Sequence, residues 1–240
     1  ITVTVLAARE VSNNPLFLGF PNAVGVGGAF LGTQMFYKIS KKYSRLAALS
    51  LTFFVGALGS IVLFYSLIVD SFILLMIGAL ILGFGQSATL QSRYAASFVA
   101  SEKFKATALS LAVWFSVFGS VFGPRLVSVY SDYFDNLFNS ELIVGYIVAM
   151  VGMLFASASV LTFTSSNSSL REPAEVEEVA EKAIKSKKDG NILTLLLVLN
   201  HFTMVVIMSA TPLHVQDIGE TVELVGVIIS YHTLGMFLLS

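Results

Sequence analysis

Titratable and polar side chains are scarce inside the apolar stretches of this chain, and the few that occur define the chemistry open to it. No Asp or Glu falls within any full-length apolar stretch. His201 lies midway along one stretch and His232 midway along the last. Imidazole titrates near neutrality, so either could take up and release a proton. The other role open to each is a hydrogen bond to a neighbouring helix. His214 stands near the end of its stretch, where an interfacial position is expected. The amides Asn22, Gln34, Gln86, Gln91 and Asn200 could contact a small polar group or link helices to one another. Of these, Asn22, Gln86 and Asn200 are taken as candidates for lining a substrate cavity. Trp114 joins them because it lies well inside its stretch, away from the interfacial belt where Trp is common. Enzyme arrangements find little support. There is no Gly-Lys nucleotide loop, no His cluster at metal-ligand spacing and no Ser-His-Asp arrangement. Gly83-x-Gly85 lacks the third Gly of a dinucleotide fingerprint. The absence of Cys excludes disulfides, thiolate chemistry and Cys-based zinc sites. No cofactor is expected.

These side chains must be positioned by elements that suit lipid. The chain is 55% hydrophobic and 12% charged, with a mean hydropathy of +0.82. A soluble domain carries about 25% charged residues. About 20 apolar residues cross the hydrocarbon core as a helix, and an open sheet cannot satisfy its backbone there. The spacing predicts six full spans at residues 16–37, 46–69, 72–99, 106–130, 142–164 and 192–213. Residues 1–8 read as the tail of a partial first helix, and residues 222–240 as a truncated eighth. Ile1 is not a start Met and Ser240 falls inside an apolar run, so a piece of a longer protein is expected.

The gaps between spans alternate in charge. Lys38, Lys41, Lys42 and Arg45 crowd one gap, and the next holds Asp70. Glu102, Lys103 and Lys105 precede Asp132, Asp135 and Glu141. The long gap with Arg171, Lys182, Lys185, Lys187 and Lys188 precedes Asp217, Glu220 and Glu223. Basic residues mark cytoplasmic loops, so the basic loops are predicted inside and the acidic ones outside a cell membrane. Arg9 and Arg125 are exceptions near the outer face, while Arg93 lies near the inner end of its helix, where its stem can snorkel. The net charge of −1 gives no basic field for nucleic acid.

Residues 165–190 differ in composition. Glu178 with Lys182 and Glu181 with Lys185 are i,i+4 pairs in the favourable order. A short amphipathic helix or a solvated linker helix is expected there. It separates residues 1–164, a six-helix bundle with an incomplete first helix, from residues 191–240, the start of a second bundle. Leu18-Gly19-Phe20 aligns with Val225-Gly226-Val227, and at the same offset Gly28 meets Gly235 and Phe30 meets Phe237. This echo fits a duplicated unit with parallel halves.

Three strings carry a resemblance to the major facilitator superfamily of secondary transporters. Lys41-Lys42-Tyr43-Ser44-Arg45 resembles that family's G-x-x-x-D-R-x-G-R-R loop, with Tyr37 at the first Gly and Lys41 in place of the Asp. Gly119-x-x-x-Gly123-Pro124 resembles the G-x-x-x-G-P core of an antiporter motif. Small residues one turn apart let helices approach, and Pro124 can bend its helix. Gln91-Ser92-Arg93-Tyr94-Ala95-Ala96 and Met208-Ser209-Ala210-Thr211-Pro212-Leu213-His214 resemble a bacterial drug-efflux-like branch. An acidic residue commonly follows R-Y-A-A in that branch; here Ser97 and Phe98 stand there.

The resemblance implies an all-α polytopic bundle and alternating access. It implies export of a small, fairly apolar compound in exchange for protons, with His201 and His232 as coupling candidates. Lys41, Lys42, Arg45, Arg93, Gly119, Gly123 and Pro124 would serve gating. Uptake by the same fold, or a transport-inactive receptor or scaffold, stays open.

Overall fold

The computed structural model describes residues 2–12, 14–166 and 187–237. Among the described residues every regular element is helical. We label the helices α1 (Thr2–Val11), α2 (Phe20–Lys42), α3 (Arg45–Ile68), α4 (Phe72–Val99), α5 (Lys105–Phe138), α6 (Ile143–Ser166), α7 (Lys187–Asp217) and α8 (Val222–Phe237). Each expected span falls on one of them. The amphipathic helix expected around Glu178–Lys185 lies outside the described residues.

Length and composition agree with a bilayer. Five helical segments among the described residues are long and apolar enough to cross a membrane. The 28 residues of α4 rise about 42 Å at 1.5 Å each, more than the ~30 Å hydrocarbon core. The outward faces carry Phe30, Leu58, Ile73 and Phe155 in exposed positions. Lipid covers such faces at no cost, whereas water would not.

Short loops turn the chain between helices, and caps fix the turns. Ser44 begins α3, its Oγ accepting from the Ala47 amide at 3.1 Å. Ser71 begins α4 in the same way through Leu74. Asn139 ends α5 in the left-handed conformation (φ 61°). The helix therefore runs to Phe138, past the expected end at residue 130. Asp132 and Asp135 belong to its last turns and not to a loop. Asp217 is likewise the last residue of α7.

The core is built on backbone contact. In α2, a methyl group at Gly28 would overlap the Leu80 carbonyl of α4, and one at Gly32 would lie 2.6 Å from the Phe84 carbonyl oxygen. From the other side, a methyl at Gly83 would overlap the Gly25 backbone. Gly56 of α3 and Gly85 of α4 face each other, with a methyl at Gly56 only 2.7 Å from the Gly85 Cα. Gly59 meets the backbone of Ile81 and Leu82, and Gly78 meets Leu63. Of the glycines in and just before α2, Gly25, Gly28 and Gly32 lie in this contact, while Gly19 and Gly27 face open space among the described residues. Gly83-x-Gly85, which failed as a nucleotide fingerprint, is part of this seam.

Two apolar clusters flank the seam. Leu6, Ala7 and Ala8 of α1 pack with Leu63, Leu75, Leu142, Ile143 and Tyr146. Phe36, Leu49, Phe53, Ala88 and Ala95 form the second, toward the other end of α3. There α3 and α6 are joined by a buried serine pair. Ser50 Oγ lies 3.0 Å from Ser157 Oγ, and each hydroxyl reaches the other's carbonyl at 2.9 Å.

Candidate functional site

The short helix α1 is the most enclosed element, with Val5, Leu6, Ala7 and Ala8 each at most 1% exposed. Where its polar residue Thr4 meets α2 and α4, a small cavity remains. Thr4, Pro21, Asn22, Gly25, Val26, Ala79, Leu82 and Gln86 line it. Its volume of about 20 Å³ leaves room for about one water. Asn22 sits in the first turn of α2, which Pro21 can start because its missing N–H is unneeded there. The Asn22 amide is buried at 6% exposure, and such a group is costly without a partner. Its Nδ2 donates to Ser209 Oγ of α7 at 2.8 Å. The fold therefore brings two cavity candidates, Asn22 and Gln86, to one place and adds Thr4 and Ser209.

The other candidates stand apart from it. Trp114 is 45% exposed on α5, packed edge-on against Phe118 at 5.9 Å. Asn200 and His201 lie on the exposed half of α7, and His232 is exposed on α8. Exposure of α7 is graded along its length: Leu195, Leu196 and Leu197 are 58–59% exposed, whereas Pro212 and Val215 are buried. The Pro212 ring removes one helical N–H and frees the carbonyl four residues earlier, at Met208.

The basic loop between α2 and α3 places its cations on aromatic faces. Lys41 Nζ lies 5.6 Å from the Tyr37 ring centroid, and Lys42 Nζ lies 5.3 Å from that of Tyr43. Arg45 lies over Phe98, near the end of α4, at 5.3 Å. Aromatic faces attract cations without a carboxylate, which suits a loop whose expected Asp is Lys41. Arg93 is half-buried on α4. The G-x-x-x-G-P segment behaves otherwise than its spacing suggests. A methyl at Gly119 or Gly123 would meet nothing within 4 Å, so no close helix approach occurs there among the described residues. The backbone of α5 stays helical through Pro124.

Sequence reasoning missed the far end of α1. Arg9, an exception to the charge pattern, forms an ion pair with Asp217 at the end of α7. Its Nη1 also donates to the Leu213 carbonyl at 3.3 Å and to Gln216 Oε1 at 3.4 Å. Next to it, Glu10 Oε2 accepts from Ser140 Oγ at 2.7 Å, just beyond α5. The only prior signal was a basic residue in an otherwise acidic set of gaps.

Long apolar helices, lipid-suited faces and glycine seams define a multi-pass membrane protein. The chain belongs to the Major Facilitator Superfamily, whose family model matches residues 1–240. It is 31% identical to the uncharacterized MFS-type transporter YdeG of Bacillus subtilis (strain 168), over 99% of this chain and 58% of that protein. It is 28% identical to the uncharacterized MFS-type transporter YddS of the same organism, over 99% of this chain and 57% of that protein. The riboflavin transporter RfnT of Brucella anthropi is 23% identical, over 99% of this chain and 59% of RfnT. The chain thus spans a little under three fifths of the length of these relatives. No solved structure matches it.

Proposed function

We propose that the protein containing this chain is a secondary transporter of a small, apolar or amphipathic compound. It works in the cell membrane by alternating access, exporting its substrate in exchange for protons. Residues 1–164 form one bundle, residues 165–190 the connecting linker, and residues 191–240 the beginning of the second bundle. Asn22, Gln86, Trp114 and Asn200 contact the substrate, and His201 and His232 carry the protons. The basic loops and the linker are cytoplasmic. Family membership supports transport by a membrane carrier. The observation that carries the more specific reading is the Asn22–Ser209 bond, which makes the contact between the two proposed bundles polar at a cavity.

The test is flux. The full-length protein in proteoliposomes should accumulate riboflavin, the compound named for one relative, or an amphipathic cationic dye such as ethidium under an imposed pH step. Asn22→Leu should lower that flux roughly tenfold, the effect of losing about one good hydrogen bond. Flux of neither probe by the parent protein would favour the receptor or scaffold reading.

Sidedness is checked separately in a Cys-free full-length background. Tyr43 is 56% exposed and suits a reporter better than the buried cap Ser44. Tyr43→Cys should resist an impermeant maleimide on intact cells, and Glu220→Cys should react. The reverse pattern would invert the proposed orientation.

A further inference from the structure

Four cations crowd the turn between α2 and α3. Lys38, Lys41, Lys42 and Arg45 stand close together in the sequence, and among the described residues none of them forms an ion pair. Helix poles do not restore the balance. Lys41 and Lys42 suit the carbonyl end of α2, but Arg45 opens α3, whose first turn holds no acidic residue, and the amide end of a helix is itself positive. The last carbonyls of α6, at Ser165 and Ser166, offset about half a charge. The turn is therefore short of negative charge. A groove of about 500 Å³ lies beside it, within the usual size range of small-molecule sites. Lys42, Ser44, Thr164 and Ser165 give the groove a polar end, and Ala47 and Leu161 give it an apolar one. Each apolar residue lies about one turn further along its helix than the polar residues. The apolar surface then continues away from the turn. Ala47, Leu51, Phe54 and Leu58 share one face of α3, and the last three are 43–47% exposed. Leu161 and Leu154 share a face of α6 and are both exposed.

We propose that this groove binds an anionic phospholipid, its phosphate at Lys42 and its acyl chains along the exposed faces of α3 and α6. The lipid brings the charge that the turn lacks, and a headgroup joined to chains matches a polar end joined to apolar faces. Lys holds phosphate as a point charge, and basic pockets between membrane helices suit anionic headgroups. A soluble anion would leave Ala47 and Leu161 unused. Lipid binding here is independent of the direction of transport and of whether transport occurs.

Quenching by brominated lipid tests the site and needs no flux. In a full-length protein whose native Trp residues, Trp114 included, are replaced by Phe, Leu161→Trp puts one indole at the groove. Leu161 is 55% exposed, so the larger ring is accommodated, and Leu51→Trp serves as a second reporter from the α3 side. In reconstituted vesicles, phosphatidylglycerol brominated on its acyl chains and brominated phosphatidylcholine are compared at matched mole fractions. The indole should select the anionic lipid about fivefold, the effect of one cation beside an anionic headgroup. Lys42→Gln should bring the two lipids close to parity. Lys103→Gln removes an exposed cation that does not line the groove, and should leave the selectivity within about twofold of the parent. Parity in the parent, or selectivity that survives Lys42→Gln, would overturn the proposal. Equal loss in Lys103→Gln would also overturn it, as the mark of a generally basic surface. So would selectivity that emerges only after Glu175, Glu177 and Glu178 are replaced by Gln, because the acidic stretch that follows Ser166 would then be the occupant.

Discussion

Gly83→Leu should leave little folded protein in the membrane, while Gly123→Leu accumulates like the parent. The contrast follows from what each new side chain meets. At Gly83 the first added carbon collides with the backbone of Gly25. A side chain could rotate aside, but that carbonyl is held in the hydrogen-bond ladder of α2. Overpacking a core costs about 1–3 kcal/mol when neighbours can shift, and here the cost should lie at or above the top of that range. At Gly123 nothing stands within 4 Å among the described residues, so a Leu there should change stability by no more than about 0.5 kcal/mol. Gly19, Gly27 and Gly119 have equally open surroundings, so presence of a glycine in a span is no guide by itself. The measurement is the yield and thermal midpoint of each variant after detergent extraction. Equal midpoints for Gly83→Leu and the parent would show that the α2–α4 seam is looser than described.

The second large effect concerns coupling. With both His201 and His232 replaced by Gln, proton-driven accumulation should disappear while downhill exchange survives. The full-length apolar stretches contain no carboxylate, and His201 and His232, whose imidazoles can change charge, are the ionisable side chains near mid-helix after residue 190. Gln keeps hydrogen bonding and removes that change. Both residues stand on exposed faces of α7 and α8, away from the cavity at Asn22, so packing around α1 should be unaffected. Accumulation and exchange are measured on the same proteoliposomes with an imposed pH step. Uphill transport by the double variant would move coupling to another group.

The spans were legible because lipid imposes a length on any helix that crosses it, and the start of each helix was legible where Ser44 or Ser71 supplies a cap. The end of α5 was not. Asp132 and Asp135 interrupt the apolar run, so hydropathy stops at residue 130, but hydrogen bonding within the helix continues to Phe138. The glycines of α2 carry no mark of which helix lies against them. Their partners in α4 are some fifty residues away, and single-sequence spacing carries no information about pairing across helices. The same limit hid the pairing of Arg9 with Asp217, 208 residues further on. Of the polar candidates, Asn22 and Gln86 came together because α2 and α4 run side by side. Trp114 and Asn200 did not, since depth in a span says nothing about which face a residue occupies.

The glycine seam also has a mechanical consequence. Side chains are compliant and can hop between rotamers, whereas backbone pressed on backbone leaves little to deform. Helices α2, α3 and α4 should therefore move as one plate, with low compressibility and amides that are the last to exchange with deuterium. Whatever strain a working cycle generates must then be taken up outside this plate. Pro212, which removes one helical N–H of α7 and frees the Met208 carbonyl, is a place where a described helix can bend to absorb it.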